Sequence, residues 1–257
     1  MIHKYLMEPI DIIVISLRES TARRARAVEQ LQASGLTWRF QDAIKGADLP
    51  ALPVEYDQNR RYQLEGNDLN PGEIGCFMSH REAWKMCVKT QKLMLILEDD
   101  FQFQETPADV LSGVFENLPH FDVLRLQGGI LTYKYKVLKD YGKTKLVRHY
   151  RDPHGTTAYV LKPAAAKKLL ERSRKFFECV DIYLGNYGAH RLRVLSLFPY
   201  PVTGDKSPST IQFSAKSAPR LNLGRKWLMK LRRLPQSARK RFYELERSTA
   251  EFFAPIK

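Results

Sequence analysis

The chain has 257 residues, of which 44% are hydrophobic and 27% charged, as in an ordinary soluble globular protein rather than a disordered or membrane-spanning one. Its formal net charge of +14 predicts an anionic partner. The three cysteines, Cys76, Cys87 and Cys179, have no CxxC or zinc-type spacing, which argues against a disulfide scaffold and favours a reducing compartment.

The first predicted element is a buried strand over residues 11–17, which are rich in β-branched side chains. A short apolar run near the N-terminus also suggests a signal peptide. Asp11 interrupts that run and no small-residue cleavage site follows, so the strand is favoured. A helix capped by Ser20 or Thr21 and a short strand over 37–40 complete a βαβ unit.

A second helix–strand unit follows in the next third of the chain. Residues 70–73 read Asn-Pro-Gly-Glu, which predicts a helix start with a capping asparagine, a first-turn proline and a glutamate three residues after the cap. Residues 93–97 form an apolar run typical of a strand buried on both faces, and Glu98, Asp99 and Asp100 come directly after it. Open α/β folds bind ligands at the carboxyl ends of such strands.

The remaining sequence predicts further elements of the same class. Residues 50–70 are polar and irregular, and we interpret them as a loop. The other predicted elements are strands over 121–126, 157–161 and 193–198, a hairpin within 133–150, and a helix from Pro163 to Leu170. The sequence therefore predicts an α/β domain over residues 1–212 and a basic tail over 213–257.

The three carboxylates after the apolar run carry the main chemical signal. Clustered negative charge at the edge of a core is costly unless a cation neutralises it. Because alternate residues of a strand point the same way, Glu98 and Asp100 are expected to share one face, and their oxygen ligands suit Mg²⁺ or Mn²⁺. The alternative, a strand that runs into a solvated acidic turn, remains open on these residues alone.

The predicted helix after residue 70 has two unusual features. Gly72 and Gly75 in its first turns cost helix stability, which suggests close approach of backbone or ligand. His80 lies off the apolar stripe, near Glu73 and Cys76, and the residues alone favour an ordinary helical histidine over a functional one.

Two sequence blocks are distinctive in combination: Gly-Glu-Ile-Gly-Cys…Ser-His…Trp over 72–84 and Leu-Ile-Leu-Glu-Asp-Asp over 95–100. Together they resemble glycosyltransferase family 25, which includes the lipooligosaccharide galactosyltransferases of Gram-negative bacteria. The resemblance covers about residues 10–212. It extends in order to Ile15-Ser16-Leu17 with Arg23, the A-x-x-G loop at 43–46 (with Lys45 where Asp is common), Gly-Thr-x-Ala-Tyr at 155–159, and Val180-Asp181.

This resemblance implies a single domain of the GT-A type, with a Rossmann-like mixed sheet flanked by helices and a nucleotide-sugar donor. It implies a divalent metal, Mn²⁺ or Mg²⁺, held by Glu98 and Asp100, with Glu98 where the family's DxD-type motif usually starts with Asp. The donor-binding residues it implies are Ser16, Leu17, Arg23, Asp42, Ser79, His80, Glu98, Asp99, Gly155 and Thr156.

The resemblance also implies transfer of galactose from UDP-galactose to a lipooligosaccharide or lipopolysaccharide sugar, with inversion. Such a transfer needs a general base for the acceptor hydroxyl, and Asp181 is the candidate. An N-cap role for Asp181 is the competing interpretation, and Asp152, His154 and Asp205 are weaker candidates for the base. A third metal ligand is not located, with His190 and Asp205 as options.

The basic tail has ten Lys or Arg and no Asp or Glu between residues 216 and 241. Residues 225–234 interleave cations with bulky apolar side chains, which predicts an amphipathic helix on an anionic membrane. A lipid-linked acceptor fits that location, which would be the cytoplasmic face of the bacterial inner membrane. Nucleic acid is the competing anion, but no recognition motif supports it.

Two other enzymes remain open as alternatives: a metal-dependent nucleotidyltransferase, which would release pyrophosphate from a nucleoside triphosphate, and a glucosyltransferase of the same family. A basic nucleic-acid-binding module is the alternative that is not an enzyme. It gives the acidic strand end no role.

Overall fold

The computed structural model describes residues 10–32, 34–129 and 134–205, together with Ala238 and Phe242. Within these ranges the helices are α1 (Thr21–Gln32), α2 (Gln58–Glu65), α3 (Pro71–Thr90), α4 (Pro107–Glu116), α5 (Pro163–Arg172), α6 (Val180–Gly185) and α7 (Tyr187–His190). The strands are β1 (Ile10–Ser16), β2 (Trp38–Asp42), β3 (Leu93–Glu98), β4 (Phe101–Phe103), β5 (Val123–Arg125), β6 (Tyr135–Asp140), β7 (Lys145–His149), β8 (Ala158–Leu161), β9 (Val194–Phe198) and β10 (Val202–Gly204).

Eight strands form one mixed sheet in the order β2-β1-β3-β8-β5-β9-β7-β6, while β4 and β10 form a separate antiparallel pair. Strand β1 is parallel to β2 and β3, whereas β8 is antiparallel to both of its neighbours, β3 and β5. The hairpin predicted within 133–150 is the antiparallel pair β6 and β7. The predicted α/β class, a mixed sheet flanked by helices, is confirmed.

The hydrophobic core lies on both faces of the sheet. Along β1, Ile13 and Ile15 pack on the side of α3 and α5, while Ile12 and Val14 pack on the side of α1 and α4. Five of the six residues of β3 are buried. The prediction of a strand buried on both faces is therefore confirmed, and its register fixes where the acidic residues emerge.

Helix α3 begins with the predicted cap. The Asn70 side chain accepts a hydrogen bond from the Glu73 N–H, and the Glu73 carboxylate accepts one from the Asn70 N–H, which completes a capping box with Pro71 in the first turn. A Cβ built on Gly75 would lie 2.4 Å from the Ile44 carbonyl oxygen. The close approach inferred from the glycines is thus real at Gly75, and the approaching group is backbone.

Of the helices with eight or more residues in the described ranges, two were not predicted. Residues 50–70, interpreted as a loop, contain α2, which Asp57 caps by accepting the Arg60 N–H and which ends at Gly66 with a φ of 73°. Its sequence has few apolar residues, so it carries no clear helical stripe. Helix α4 follows the capping Thr106 and was also missed.

None of the helices in the described ranges is both long and apolar enough to span a membrane. The basic tail over 213–257 lies outside the described residues apart from Ala238 and Phe242, so the predicted amphipathic helix and the domain boundary at residue 212 stay predictions.

Candidate active site

Three parallel strands end at one edge of the sheet and bring predicted donor-site residues together. Ser16 ends β1, Asp42 ends β2 and Glu98 ends β3. The register aligns Ser16 with Asp42, and Ile15 with Glu98. The acidic turn, which we define as residues 98–100, therefore lies where open α/β sheets bind ligands.

Asp99 is neutralised by its neighbours within the fold. Its Oδ2 accepts a hydrogen bond from Ser16 Oγ at 2.7 Å, and its Oδ1 accepts one from Arg23 NH1 at 3.0 Å. These contacts tie β1 and α1 to the acidic turn. They bring three predicted donor-site residues together and leave Asp99 paired with the guanidinium of Arg23.

Asp42 is also paired with arginines, here Arg18 and Arg24. Its carboxylate is 2.6 Å from Arg18 NH2 and is paired with Arg24, yet 45% of its side chain remains exposed. Arg24 in addition donates to the carbonyls of Ser16 and Leu17. The hydrogen bonds and charges of Arg18 and Arg24 lower the pKa of Asp42, so this group is ionised and part of a charged surface beside the strand ends.

Glu98 lies at the end of a buried hydrogen-bond chain. One of its carboxylate oxygens contacts His80 Nε2 at 3.1 Å and accepts a hydrogen bond from Thr156 Oγ1 at 2.5 Å. On the other side of the imidazole, His80 Nδ1 is 2.8 Å from the Tyr159 hydroxyl, to which Trp84 Nε1 donates at 2.9 Å. His80, predicted from the residues alone to be an ordinary helical histidine, thus contacts the acidic turn.

The groups at the two ends of this hydrogen-bond chain, Trp84 and Glu98, decide which atoms donate. An indole N–H can only donate, so the Tyr159 oxygen accepts from Trp84. The Glu98 carboxylate can only accept, so His80 Nε2 carries the proton of that contact, an assignment made from the network. Burial acts to raise the pKa of Glu98, but the hydrogen bonds from His80 and Thr156 outweigh it and lower that pKa.

Asp100 has the opposite environment. Its Oδ1 is buried without a hydrogen-bond partner among the described residues. Burial, followed by the charge of Glu98, raises the pKa of Asp100 to about 7. Its backbone carbonyl accepts the Asp205 N–H at 2.6 Å, and a Cβ on Gly204 would lie 3.9 Å from Oδ2, so β10 covers this carboxylate closely.

A divalent cation fits this donor set. Glu98 is held ionised and Asp100 supplies a buried oxygen with no partner in the described ranges, next to a second negative charge. Carboxylate oxygens are the ligands that Mg²⁺ and Mn²⁺ prefer, and a cation would lower the pKa of Asp100 by neutralising the repulsion that raises it.

Cys76 is a neighbour of the acidic turn that sequence reasoning did not place in the site. Its sulfur, a His80 nitrogen and a Glu98 oxygen all lie within 4.8 Å of one another. Burial raises the pKa of the Cys76 thiol well above its usual value. A protonated thiol is a poor metal ligand, so the oxygen pair of Glu98 and Asp100 fits a hard cation better.

Ser79 stabilises the fold through hydrogen bonds to backbone groups. It is 1% exposed, and its Oγ accepts the Ile44 N–H at 2.8 Å and donates to the Gly75 carbonyl at 2.7 Å. Its own carbonyl accepts a hydrogen bond from Gln41 Nε2 at 2.8 Å. Ser79 therefore fixes the 43–46 loop against α3 and is placed to shape the donor side indirectly.

A second group of polar residues precedes β8. His154 and Gly155 both have positive φ, 61° and 83°, and a Cβ on Gly155 would lie 2.5 Å from Gln127 Oε1. This bend delivers Thr156 to Glu98, as the hydrogen bond between them shows. The two predicted residues Gly155 and Thr156 thus adjoin the acidic turn.

Asp181 lies in the first turn of α6, whose N-cap is Cys179, so the N-cap interpretation of Asp181 is wrong. Its Oδ1 accepts the Ile182 N–H at 2.8 Å, and its Oδ2 lies 3.9 Å from His154 Nδ1. Two of the proposed candidates for the base are therefore neighbours.

Arg125 is a functional candidate that sequence reasoning missed. It is 1% exposed, and NH2 donates to Asp152 Oδ1 at 2.9 Å and to the Asp181 carbonyl at 3.3 Å. NH1 donates to the Gly155 carbonyl and, at 3.5 Å, to that of His154. The available signal was an arginine inside the apolar run Val-Leu-Arg-Leu at 123–126.

The two candidates for a third metal ligand, His190 and Asp205, lie in different environments. His190 is fully buried, with Nε2 3.1 Å from the Leu184 carbonyl and Nδ1 accepting the Leu192 N–H. Burial lowers its pKa to about 4, and neither nitrogen is left for a metal, so His190 was the wrong candidate. Asp205, whose N–H contacts the acidic turn, pairs its carboxylate with Arg26.

Residues 10–184 match the family model described as "Glycosyltransferase family 25 (LPS biosynthesis protein)". The chain belongs to glycosyltransferase family 25. The matched span contains the strand ends, the acidic turn, the Arg125 contacts and Asp181. Family 25 membership, expected from the two sequence blocks, is thereby confirmed.

The names of similar proteins include an inactive family 25 member and a galactosyltransferase. "Probable inactive glycosyltransferase 25 family member 3" of Rattus norvegicus is 29% identical over 170 residues, covering 62% of this chain and 29% of that protein. "Procollagen galactosyltransferase 2" of Homo sapiens is 28% identical over 114 residues, covering 42% of this chain and 18% of that protein. The chain thus spans less than a third of the length of these relatives.

Among solved structures, one similar chain is described as "a glycosyltransferase involved in the glycosylation of the major capsid of PBCV-1". The TM-score is 0.44 at 10% sequence identity, and the match covers 78% of this chain and 94% of that one.

Proposed function

We propose that this family 25 protein is a metal-dependent galactosyltransferase that moves galactose from UDP-galactose to a saccharide of lipooligosaccharide or lipopolysaccharide, with inversion. The observation that carries the proposal is Asp100: a buried carboxylate with an unpartnered oxygen, beside the ionised Glu98, at the carboxyl end of a central strand. A purely structural acidic turn would have its oxygens paired, as Asp99 does.

Glu98 and Asp100 would hold Mn²⁺ or Mg²⁺. When bound, the cation would neutralise charge on the diphosphate leaving group. His80 and Thr156 keep Glu98 ionised and oriented, as residues behind a metal ligand generally do. Asp205 contacts the acidic turn through its backbone.

The donor nucleotide would lie across the ends of β1, β2 and β3. The residues predicted for it there are Ser16, Leu17, Arg23, Asp42 and Asp99, and the contacts among them make a charged rim. Arg18, which pairs with Asp42, is 82% exposed, so its guanidinium is accessible to an anionic ligand.

The choice of galactose is supported by the name of the human relative and by the sequence resemblance. The lipid-linked saccharide acceptor is supported by the family description, which mentions LPS biosynthesis. The positive charge of the basic tail supports binding to the anionic cytoplasmic face of the inner membrane. UDP-glucose is the alternative donor to test.

Inversion requires a base on the acceptor side, and Asp181 with its neighbour His154 supplies basic groups next to Gly155 and Thr156. The acceptor hydroxyl would lose its proton as its oxygen bonds to the sugar, while the bond from the sugar to the diphosphate breaks and UDP departs.

The decisive experiment incubates the full chain with UDP-galactose, UDP-glucose and other UDP-sugars, with lipooligosaccharide acceptor, with Mn²⁺ or with chelator. UDP release and the mass of the glycosylated acceptor are measured. We expect transfer from UDP-galactose that needs the cation and is lost in Asp100→Ala. The matched control is Asp140→Ala, which removes an exposed carboxylate of the β6–β7 hairpin.

The outcomes separate the alternatives. Pyrophosphate release from a nucleoside triphosphate without UDP release would identify a nucleotidyltransferase. Full transfer by Asp100→Ala would contradict the proposed metal site. No turnover with any UDP-sugar in the presence of acceptor would place this chain with the relatives named inactive.

Membrane association has its own test. The full chain is sedimented with vesicles of anionic lipid and with vesicles of zwitterionic lipid at low and high salt. We expect binding to the anionic vesicles alone, weakened by salt because surface charges are screened. Equal binding to both vesicle types would contradict the electrostatic account.

A further inference from the structure

His154 is held in an unusual backbone conformation. Its φ is 61°, in the left-handed region that non-glycine residues seldom adopt, and Gly155 follows at 83°. Such conformations persist when surrounding contacts enforce them, and they are concentrated at functional sites. The conformation turns the imidazole of His154 toward α6, where Asp181 lies.

The two ring nitrogens of His154 have different surroundings. Nδ1 is buried, lacks a hydrogen-bond partner among the described residues, and lies 3.9 Å from Asp181 Oδ2. The side chain as a whole is 38% exposed, so its accessible surface belongs to its other atoms. One nitrogen therefore faces a carboxylate, while other atoms of the side chain reach solvent.

Asp181 is oriented toward the histidine by its own helix. Oδ1 accepts the Ile182 N–H at 2.8 Å, which leaves Oδ2 as the atom nearest to His154. The separation of 3.9 Å is longer than a hydrogen bond. A small rotation of either side chain closes it, and catalytic hydrogen bonds are commonly long before substrate binds.

Arg125 holds both partners through their backbones. Its buried guanidinium donates to the carbonyls of His154 and Gly155 with one nitrogen and to that of Asp181 with the other. Asp152 neutralises the guanidinium and also accepts the His154 N–H at 2.9 Å. One buried cation thus sets the distance between the loop that carries His154 and the helix that carries Asp181.

The pair is also tied to the acidic turn. Thr156, two residues after His154, donates to Glu98. Cys76 of α3 lies beside Glu98, and Cys179, the N-cap of α6, donates to Glu73, also in α3, at 3.4 Å. The pair and the acidic turn therefore border the same part of the molecule.

We propose that His154 is the catalytic base of the transfer and that Asp181 and Arg125 are positioning residues for it. This inference rests on the proposed function. His154 Nε2 takes the proton of the acceptor hydroxyl as the acceptor oxygen bonds to the anomeric carbon. The bond from that carbon to the diphosphate oxygen breaks with its electron pair, and the imidazolium, stabilised by Asp181, later releases the proton to solvent.

The test uses the full chain with UDP-galactose, acceptor and Mn²⁺. The variants are His154→Ala, Asp181→Asn and the double variant, with His120→Ala as the matched loss of an imidazole outside the site. We expect His154→Ala to lower kcat by about a hundredfold or more and Asp181→Asn by about tenfold or more, with KM for the donor nearly unchanged.

Two readouts distinguish a base from a structural residue. Added imidazole should restore part of the kcat of His154→Ala, because the lost side chain is partly exposed, and should not affect His120→Ala. The double variant should be no slower than His154→Ala alone, because residues that act as a unit are not additive. Thermal unfolding and UDP binding by calorimetry check that each variant is folded and binds the nucleotide.

Several results would overturn the inference. Transfer by His154→Ala at the wild-type rate would remove His154 as the base while leaving the proposed function intact. Losses that multiply in the double variant would show that the two residues act independently, and absence of imidazole rescue would assign His154 a structural role. A wild-type protein without any sugar transfer would instead remove the proposed function itself.

Discussion

The acidic turn and the opening turns of α3 contact each other through Glu98 and His80, yet they use their polar groups differently. In α3, several polar side chains form their hydrogen bonds with backbone groups, namely those of Ser79, Asn70 and Glu73. In the acidic turn, Asp100 keeps a buried oxygen without a partner in the described ranges. Residues of two adjoining segments therefore divide into those whose polar groups stabilise the fold and one whose polar group is available to a ligand.

The largest expected effect comes from Asp100. Asp100→Asn should lower transfer about a hundredfold to a thousandfold and abolish stimulation by Mn²⁺, because a charge that acts in a water-excluded site is lost. Asp99→Asn should instead mainly lower stability, since it breaks contacts to Arg23 and Ser16. Kinetics and thermal unfolding of both variants check this; equal kinetic losses would erase the distinction.

The next largest expected effect is a pH dependence of the free energy of unfolding, measured with a metal chelator present. The folded-state pKa of Asp100 is about 7, above its ordinary value of 3.8, so the folded protein binds an extra proton between these values. This contribution favours folding at low pH and is lost as pH rises through that window. Asp100→Asn should therefore be more stable than wild type by about 2–4 kcal/mol at about pH 8, and the difference should vanish near about pH 4.

Thermal unfolding of the two proteins across this pH range measures that difference. Adding Mn²⁺ at about pH 8 should raise the Tm of the wild type and leave that of Asp100→Asn unchanged, since ligands stabilise the state that binds them. A difference in Tm that does not vary with pH would contradict the raised pKa.

A smaller effect, on the free energy of unfolding, is expected from a substitution in α3. Gly75→Ala would bring a Cβ within 2.4 Å of the Ile44 carbonyl oxygen and 2.6 Å of the Gly46 nitrogen, both backbone atoms. We expect the free energy of unfolding to fall by about 1–3 kcal/mol despite alanine's better helix propensity. Urea unfolding measures it. Gly113→Ala in α4 is the control, since its Cβ meets only the tip of Leu197 and should be nearly neutral or stabilising.

The smallest effect separates Ser79 from its neighbour in sequence. Ser79→Ala leaves the Ile44 N–H without its partner and should cost about 1–2 kcal/mol of stability with kcat almost unchanged. His80→Gln should do the reverse and lower kcat by about tenfold, because Glu98 loses the donor that orients it. A loss of kcat in Ser79→Ala that exceeds the loss in His80→Gln would contradict this division.

Local signals account for the parts of the fold that the sequence predicted. The Asn70 cap, the apolar run of β3 and the β-branched run of β1 are set by residues close together in the chain. The position of Glu98 and Asp100 follows from the end of that apolar run. Helix α2 was missed because its few apolar residues form no helical stripe, and the residue before its cap, Tyr56, packs on the distant Phe176.

The second half of the site depends on contacts that no local pattern encodes. Arg125 reaches carbonyls 29, 30 and 56 residues further along the chain. The roles of His154 and Asp181 were left as competing options because their proximity arises from the order of strands in the sheet. His190 was an option on residue type alone, and the hydrogen bonds made by both of its buried ring nitrogens excluded it.

The reversed direction of β8 has a consequence for how such a protein diversifies. Because β8 runs opposite to β3 and β5, the segment that leads into it, rather than one that leaves a strand, arrives at the working edge. Under the proposed function, the nucleotide would lie on chain that departs from β1, β2 and β3, and the acceptor on chain that approaches β8. Insertions before β8 would then remodel the approaching side and leave the proposed cation ligands in place, which would give evolution separate access to acceptor choice and donor chemistry.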